Sequence, residues 1–273
     1  PPAQEEKATS PAPAGSLPYW WQVTEPWDGF QNPTKIDESL FAASLGAVAA
    51  GAAREEYQDP ERFFQHTYFT VDLKRTIADV VSRMHGGDGA SVTEMQTPFG
   101  GGKTHALITL YHLVKDPQKS LAVPGVMEAL GDLSVPSGAR MAVFDGTEHS
   151  AEAMIKEDGT SVSTLWGEIA YQLDPKLYRQ HVQSSDDAGT APGNAAFREL
   201  LSGSAPCLIL IDELVSYLVK LKFSNTKRNQ NVYRQTINFL HELLRLAGNV
   251  PGATVLLTLP KSQSEFGGID PGQ

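Results

Sequence analysis

The chain has 273 residues, 41% hydrophobic and 20% charged, with a formal net charge of −10. That is the composition of a globular protein of one large domain or two small ones, and its acidity excludes a chain that coats nucleic acid over its whole surface. The single Cys207 excludes an internal disulfide and a cysteine-built metal cluster. No apolar run reaches the roughly 20 residues that cross a bilayer, and no signal peptide is visible in a sequence that starts at Pro1. A cytoplasmic location without membrane contact is the expectation.

Residues 1–17 are rich in Pro, Ala, Ser and Glu and are expected to form a disordered tail. A small, mainly helical subdomain is expected over 18–88, with Trp20, Trp21 and Trp27 as packing anchors. Within it a helix is predicted over Ser39–Arg54, favoured by Asp37 and Glu38 at its start. Glu55–Pro60 breaks that helix, and a dense aromatic segment, Phe63–Thr70, follows. Thr70 can cap a helix over Val71–Met84, where Leu73, Ile77, Val80, Val81 and Met84 recur at helical spacing. His85–Gly89 carries strong turn signals.

From residue 89 onward strands alternate with helices. Strands are predicted at Ser91–Gln96, Arg140–Phe144, Cys207–Ile211 and Ala253–Leu259. Helices are predicted at His105–Val114, Val162–Leu173, Ala195–Leu201, Leu214–Leu221 and Asn229–Ala247, with one more short helix in Leu121–Gly138. Asp174–Asn194 is polar and is expected to be a long surface insertion, and residues 261–273 a loop. The alternation implies an α/β three-layer sandwich with a mostly parallel sheet. A complete domain of this kind adds another strand and helix, so the core over 89–273 is expected to be truncated at its C-terminus.

The stretch Thr97-Pro98-Phe99-Gly100-Gly101-Gly102-Lys103-Thr104, between a strand and a helix, has the grammar of a phosphate-binding loop. Glycines let backbone N–H groups turn toward phosphate oxygens, and the helix start adds its positive end. Lys103 can reach the outer phosphates, Thr104 can offer a hydroxyl to Mg²⁺, and His105 can approach a nucleotide through its backbone. The loop departs from the common pattern in carrying Thr97 where the first glycine usually stands. The apolar strand Cys207–Ile211 ends in Asp212-Glu213. Asp212 suits the metal side of such a site, and Glu213 a base that activates water. Thr258 lies near the carboxyl end of the fourth strand, where ligands of parallel sheets gather, and Thr254 nearer its start. Thr258 is therefore the better candidate to sense a γ-phosphate, although a plain strand threonine fits equally well.

Asp145 also closes a strand, with a turn-forming role the commoner one. Thr67–Thr70 suits core packing first and contact with an adenine base second. Lys220, Lys222, Lys227, Arg228 and Arg234 form a basic stretch that fits a solvated loop or a contact with a partner or nucleic acid.

The run Glu94–Leu107, with Leu110–Leu113, resembles the large AAA+-like ATPases of bacterial and archaeal phage-defence islands, a family long catalogued as a domain of unknown function. Phe41–Leu45, Glu56–Pro60, Phe63–Thr70, Val143–Thr147 and Ile209–Glu213 are similar to the same family, so the resemblance spans Trp20 to Pro260. BREX-type ATPases are more distantly similar. The resemblance implies a P-loop fold of the AAA+ kind, a protein several times longer, and action against foreign DNA beside DNA methyltransferases and helicases. It also implies self-association or a neighbouring ATPase unit that lends an arginine. In that family Thr97 in place of glycine is ordinary.

The expected function is therefore binding and hydrolysis of Mg²⁺-ATP, with Lys103, Glu213 and Thr258 in catalytic roles. The alternative is an ATP-binding switch or scaffold with little turnover. A small-molecule kinase fits less well, because Asp212-Glu213 places a base directly after the metal carboxylate. A helicase motor would need a second motor domain.

Overall fold

The computed structural model describes residues 43–97 and 102–260, together with Tyr19, Val23 and Thr24. The chain divides into two compact units, Pro1–Ala42 and Ala43–Gln273. The tail over 1–17, the three tryptophans, the helix start at Asp37-Glu38 and the C-terminal loop 261–273 lie outside the described residues.

The second unit opens with helices α1 (Leu45–Ala49), α2 (Glu55–Gln58), α3 (Pro60–Gln65) and α4 (Val71–Met84), followed by strand β1 (Val92–Thr97). Then come α5 (Lys103–Lys115), α6 (Pro117–Leu121), α7 (Pro124–Leu130) and β2 (Arg140–Asp145). A two-stranded hairpin, β3 (Met154–Ile155) and β4 (Ser161–Val162), leads to α8 (Leu165–Leu173), α9 (Pro175–His181), α10 (Gln183–Ala188) and α11 (Asn194–Ser204). The chain continues through β5 (Cys207–Asp212), α12 (Leu214–Lys222), α13 (Lys227–Asn249) and β6 (Ala253–Pro260).

Four strands form one parallel sheet in the order β1-β6-β5-β2. Strand β5 is buried along its whole length, as its unbroken apolar run requires. Its side chains alternate between two cores: Cys207, Ile209 and Ile211 join one, Leu208 and Leu210 the other. Strand β6 does the same, with Val255 and Leu257 on one face and Leu256 on the other. The first core is completed by Trp166, Ile169, Phe197, Phe239 and Leu243 from α8, α11 and α13. The second is completed by Leu45, Phe63, Ile77, Leu107 and Val126 from α1, α3, α4, α5 and α7. The architecture is thus α/β, with helices on both faces of a parallel sheet.

Helix α4 occupies its predicted span. The Thr70 side chain accepts from Leu73 N, Asp72 sits in the first turn and Arg83 in the last. Arg83 then donates to the carbonyls of Ala247, Val250 and Ala253, which fastens the helix end to α13 and β6.

Two expectations need correction, and a third is met with an addition. The described part of the Ser39–Arg54 helix is only Leu45–Ala49, because the Ser44 hydroxyl caps it by accepting from Ala47 N and a turn at Ala50-Gly51 ends it. Leu121–Gly138 holds its one expected short helix, α7, and the unpredicted α6 lies just before it, each opened by a proline at its first turn. The polar Asp174–Asn194 is not a loop insertion. Asp174 caps α9 by accepting from Lys176 N and Leu177 N, and Tyr178, Val182 and Asp186 turn inward. Asp186 is buried because Ser163, Thr164 and Tyr178 all donate to its carboxylate. Among the described residues, no helix is long and apolar enough to cross a membrane.

Candidate functional site

Because β6 lies between β1 and β5, the carboxyl ends of three strands bring distant residues together. Asp212 ends β5 and is almost wholly buried. Its Oδ1 accepts from Thr258 Oγ1 of β6 and, at 3.0 Å, from the backbone N–H of Glu213. Thr104, in the first turn of α5, stands close enough to this carboxylate for its hydroxyl to favour the charged form. Thr258 Oγ1 accepts from Glu213 N at 3.2 Å. Thr254 sits at the other end of the strand, where its hydroxyl donates to Ala90 O.

Glu213 stands between β5 and α12 with φ 49° and ψ 37°, a left-handed conformation that a glutamate adopts only under constraint. Its carboxylate accepts from Ser216 Oγ at 3.4 Å. The turn after β2 presses on it from behind. A Cβ on Gly146 would lie 2.0 Å from Glu213 O, so only glycine fits there. Gly146 N–H in turn donates to Asp212 O at 2.9 Å.

Burial pushes the carboxyl of Asp212 above the usual carboxylate range. The charge of Asp145 adds to that rise, while the Thr258, Thr104 and Glu213 donors oppose it without cancelling it. The Glu213 carboxyl is also raised, first by burial and then by the charge of Asp212, with Lys103 pulling the other way. Lys103 is therefore close enough for its charge to be felt at Glu213. Asp145 itself is spoken for. Ser44 Oγ and Gly46 N donate to its Oδ2, and Thr147 N and Oγ1 to its Oδ1. It holds the start of α1 against the end of β2.

Of the glycine-rich stretch, Thr97 ends β1 opposite Pro260, and Pro98, Phe99, Gly100 and Gly101 lie outside the described residues. Gly102 precedes α5 with φ 76°, a left-handed turn that aims the helix start. Lys103, Thr104 and His105 form its first turn. The His105 ring packs on Phe63 at 4.5 Å between centroids and lies 3.0 Å from Thr67 Oγ1. Burial lowers its pKa. The structure thus gathers Lys103, Thr104, Asp212, Glu213 and Thr258 in one place.

Sequence reasoning missed Gly146 and Ser216, and the only sign of the former was an Asp-Gly pair that suits any turn. Two members of the basic stretch are occupied within the fold. Lys220 Nζ donates to the carbonyls of Gly146, Thr147 and His149, and Arg228 to Ser163 Oγ and Asp186 O. Phe63 and Phe64 of the aromatic segment are core residues.

Residues 22–271 match the family model described as the DUF499 N-terminal domain. The chain belongs to the DUF499 family. No curated protein and no solved structure matches it. The match takes in every strand of the sheet and every residue of this site, so the site lies within the DUF499 N-terminal domain.

Among the described residues no three His, Cys, Asp or Glu side chains are grouped to hold a metal ion by themselves. The oxygens of Thr104 and Asp212, near enough for the hydroxyl to act on the carboxylate, are hard donors. Such a pair suits Mg²⁺, which is usually held by one or two protein oxygens with phosphate and water supplying the rest.

Proposed function

We propose that this DUF499 domain binds Mg²⁺-ATP and hydrolyses it, within a P-loop fold of the AAA+ kind. The observation that carries the reading is the cluster of Thr104, Asp212 and Thr258 at the carboxyl ends of neighbouring parallel strands, with Glu213 and the charge of Lys103 beside it. Lys103 and the backbone of Gly100–Gly102 hold the phosphates. Thr104 and Asp212 are the residues that would hold Mg²⁺, which when bound neutralises charge on the phosphate oxygens. Glu213, its carboxyl raised above the ordinary range by burial and by Asp212, takes a proton from the attacking water. Thr258, bonded to both Asp212 and the Glu213 backbone, links the metal carboxylate to the base. The β6 strand inserted between the glycine-loop strand and the carboxylate strand supports this assignment.

The experiment is ATP binding and turnover for the wild type, Lys103→Ala and Glu213→Gln. Lys103→Ala should weaken ATP binding at least tenfold. Glu213→Gln should keep binding and lose turnover by roughly 100-fold or more, the scale of general-base catalysis. Unchanged affinity in Lys103→Ala would remove the basis of the proposal.

A second reading, an ATP-binding switch with little turnover, draws on Glu213 being turned to Ser216 by a left-handed backbone. It predicts tight binding with no turnover that Glu213→Gln could abolish. From the family resemblance we further propose that the domain powers or gates a DNA-directed, restriction-like assembly in the cytoplasm, with self-association or a neighbouring unit supplying an arginine. Turnover that rises with protein concentration or on addition of DNA would support this wider role.

A further inference from the structure

A cleft of about 600 Å³ opens beside Lys103, within the range typical of small-molecule sites. Thr93, Met95 and Gln96 of β1 form one wall, and Thr70 and Thr76 of α4 another. Tyr68 also lines it. That side chain is 85% exposed, whereas the neighbouring aromatics Phe63 and Phe64 are buried core residues. Its backbone is nevertheless held on both sides. Thr67 Oγ1 donates to Phe63 O at 2.8 Å and lies 3.0 Å from His105 Nε2, and Thr70 N donates to Tyr68 O at 3.0 Å. The Tyr68 backbone thereby follows directly on Thr67, which meets His105 two residues along α5 from Lys103. The cleft also carries the carboxylates of Asp72 and Glu94. Those charges repel phosphate and leave the cleft to a neutral, flat group, while the cation Lys103 sits at one end.

We propose that this cleft seats the nucleoside of the bound nucleotide, with its base stacked on the Tyr68 ring and its phosphates directed out toward Lys103. The inference rests on the nucleotide reading above and adds the residue that recognises the base. Base-on-aromatic stacking is sequence-tolerant and depends on the ring, not on the phenol hydroxyl. Because Tyr68 is exposed, its replacement leaves the fold intact.

The test measures binding of two probes, ATP and inorganic tripolyphosphate, to the whole chain and to Tyr68→Ala, Tyr68→Phe and Lys103→Ala. Tyr68→Ala should weaken ATP about tenfold or more, from the known scale of base stacking, and leave tripolyphosphate binding unchanged. Tyr68→Phe should bind ATP as the wild type does. Lys103→Ala should weaken both probes. Unchanged ATP affinity in Tyr68→Ala, with Lys103→Ala weakened, places the base elsewhere and overturns the inference alone. An equal loss of both probes in Tyr68→Ala also overturns it, since the ring would then act on the loop rather than on the base. Unchanged binding of both probes in Lys103→Ala overturns the nucleotide reading and this inference together.

Discussion

Asp212→Asn should make the domain more stable while removing any hydrolysis. In the wild type, burial is the first cause of the raised Asp212 pKa and the Asp145 charge adds to it. The folded chain therefore holds a proton at Asp212 more tightly than the unfolded chain does. Its stability is greatest below the ordinary carboxylate range and falls as pH rises from there through the raised folded value. Glu213 acts in the same sense, raised by burial and then by Asp212. Asparagine keeps the shape and an oxygen for Thr258 Oγ1 and Glu213 N, and its amide can donate to the Thr104 hydroxyl.

The substitution gives up the charge-assisted share of these bonds, about 1 kcal/mol. It relieves a desolvation cost of several kcal/mol for a buried and imperfectly compensated charge. It also lowers Glu213 toward its ordinary value. The net expectation is a gain of about 2 kcal/mol near neutral pH, typical of active-site substitutions that trade function for stability. The gain should shrink toward zero at about pH 4, where the wild-type carboxyl is itself protonated. Urea denaturation of both proteins across that range measures it, through the midpoint at a constant slope. A variant less stable than the wild type at neutral pH, or one with the same pH dependence, refutes the reasoning, because the charge of Asp212 would then serve the fold.

Two further substitutions probe the surroundings. Lys156→Met should cost about 3–5 kcal/mol at neutral pH, the usual result of stranding a buried charge, since Lys156 Nζ lies 2.7 and 2.6 Å from the two oxygens of buried Glu168. Burial alone would raise Glu168, but the nearby His149 ring and the bonds donated by Lys156 and Gln172 outweigh it and hold it down at about 2. The stabilisation is therefore present above the ordinary carboxylate range and lost as pH falls toward that value, and acid titration of both proteins by circular dichroism should show the variant's deficit vanish there. Gly146→Ala should cost about 1–3 kcal/mol by overpacking and should also depress hydrolysis, because the added methyl must displace the Glu213 carbonyl 2.0 Å away. Equal stability of Gly146→Ala and wild type in urea would show that the Glu213 turn yields freely.

Much of the fold was legible because its signals are local. Cys207–Ile211 is a continuous apolar run, and such runs belong in the middle of a parallel sheet. Val71–Met84 carries its cap, its apolar stripe and its terminal charges within its own span. Asp174–Asn194 is hard to read locally because only a few of its inward residues, such as Tyr178 and Val182, are apolar, and the buried Asp186 can be recognised only with its partners, which lie up to 23 residues away at Ser163. Asp59-Pro60, by contrast, is a local signal: it separates α2 from α3, the Asp59 side chain capping α3 by accepting from Arg62 N, with Pro60 following at the first helical position.

The candidate site divides along the same line. Residue types and their order nominated Lys103, Thr104, Asp212, Glu213 and Thr258, but nothing local joins Asp212 to Thr258 across 46 residues. Only the placing of β6 between β1 and β5 does so. It also separates Thr258 from Thr254, which faces Ala90 at the far end of the strand.

The charges at the strand ends are hard to explain as a device for stability. Asp145, Asp212 and Glu213 lie close enough that the charge of Asp145 is felt at both of the others. Asp145 has structural work, since four donors from Ser44, Gly46 and Thr147 fill its two oxygens. Asp212 takes the Thr258 and Glu213 bonds on one oxygen, Glu213 is met by Ser216 at 3.4 Å, and both carboxyls are held above their ordinary pKa. The left-handed backbone at Glu213 adds a local cost of order 1–3 kcal/mol. Replacement by neutral residues would satisfy the same packing at less expense. An arrangement that disfavours its own charged form is one that a cation bound beside Thr104 and Asp212 would relieve, and relief of that kind would lower both pKa values and ready Glu213 to accept a proton. On this view the site's instability and its chemistry have a single cause, which is why the stability of Asp212→Asn bears directly on function.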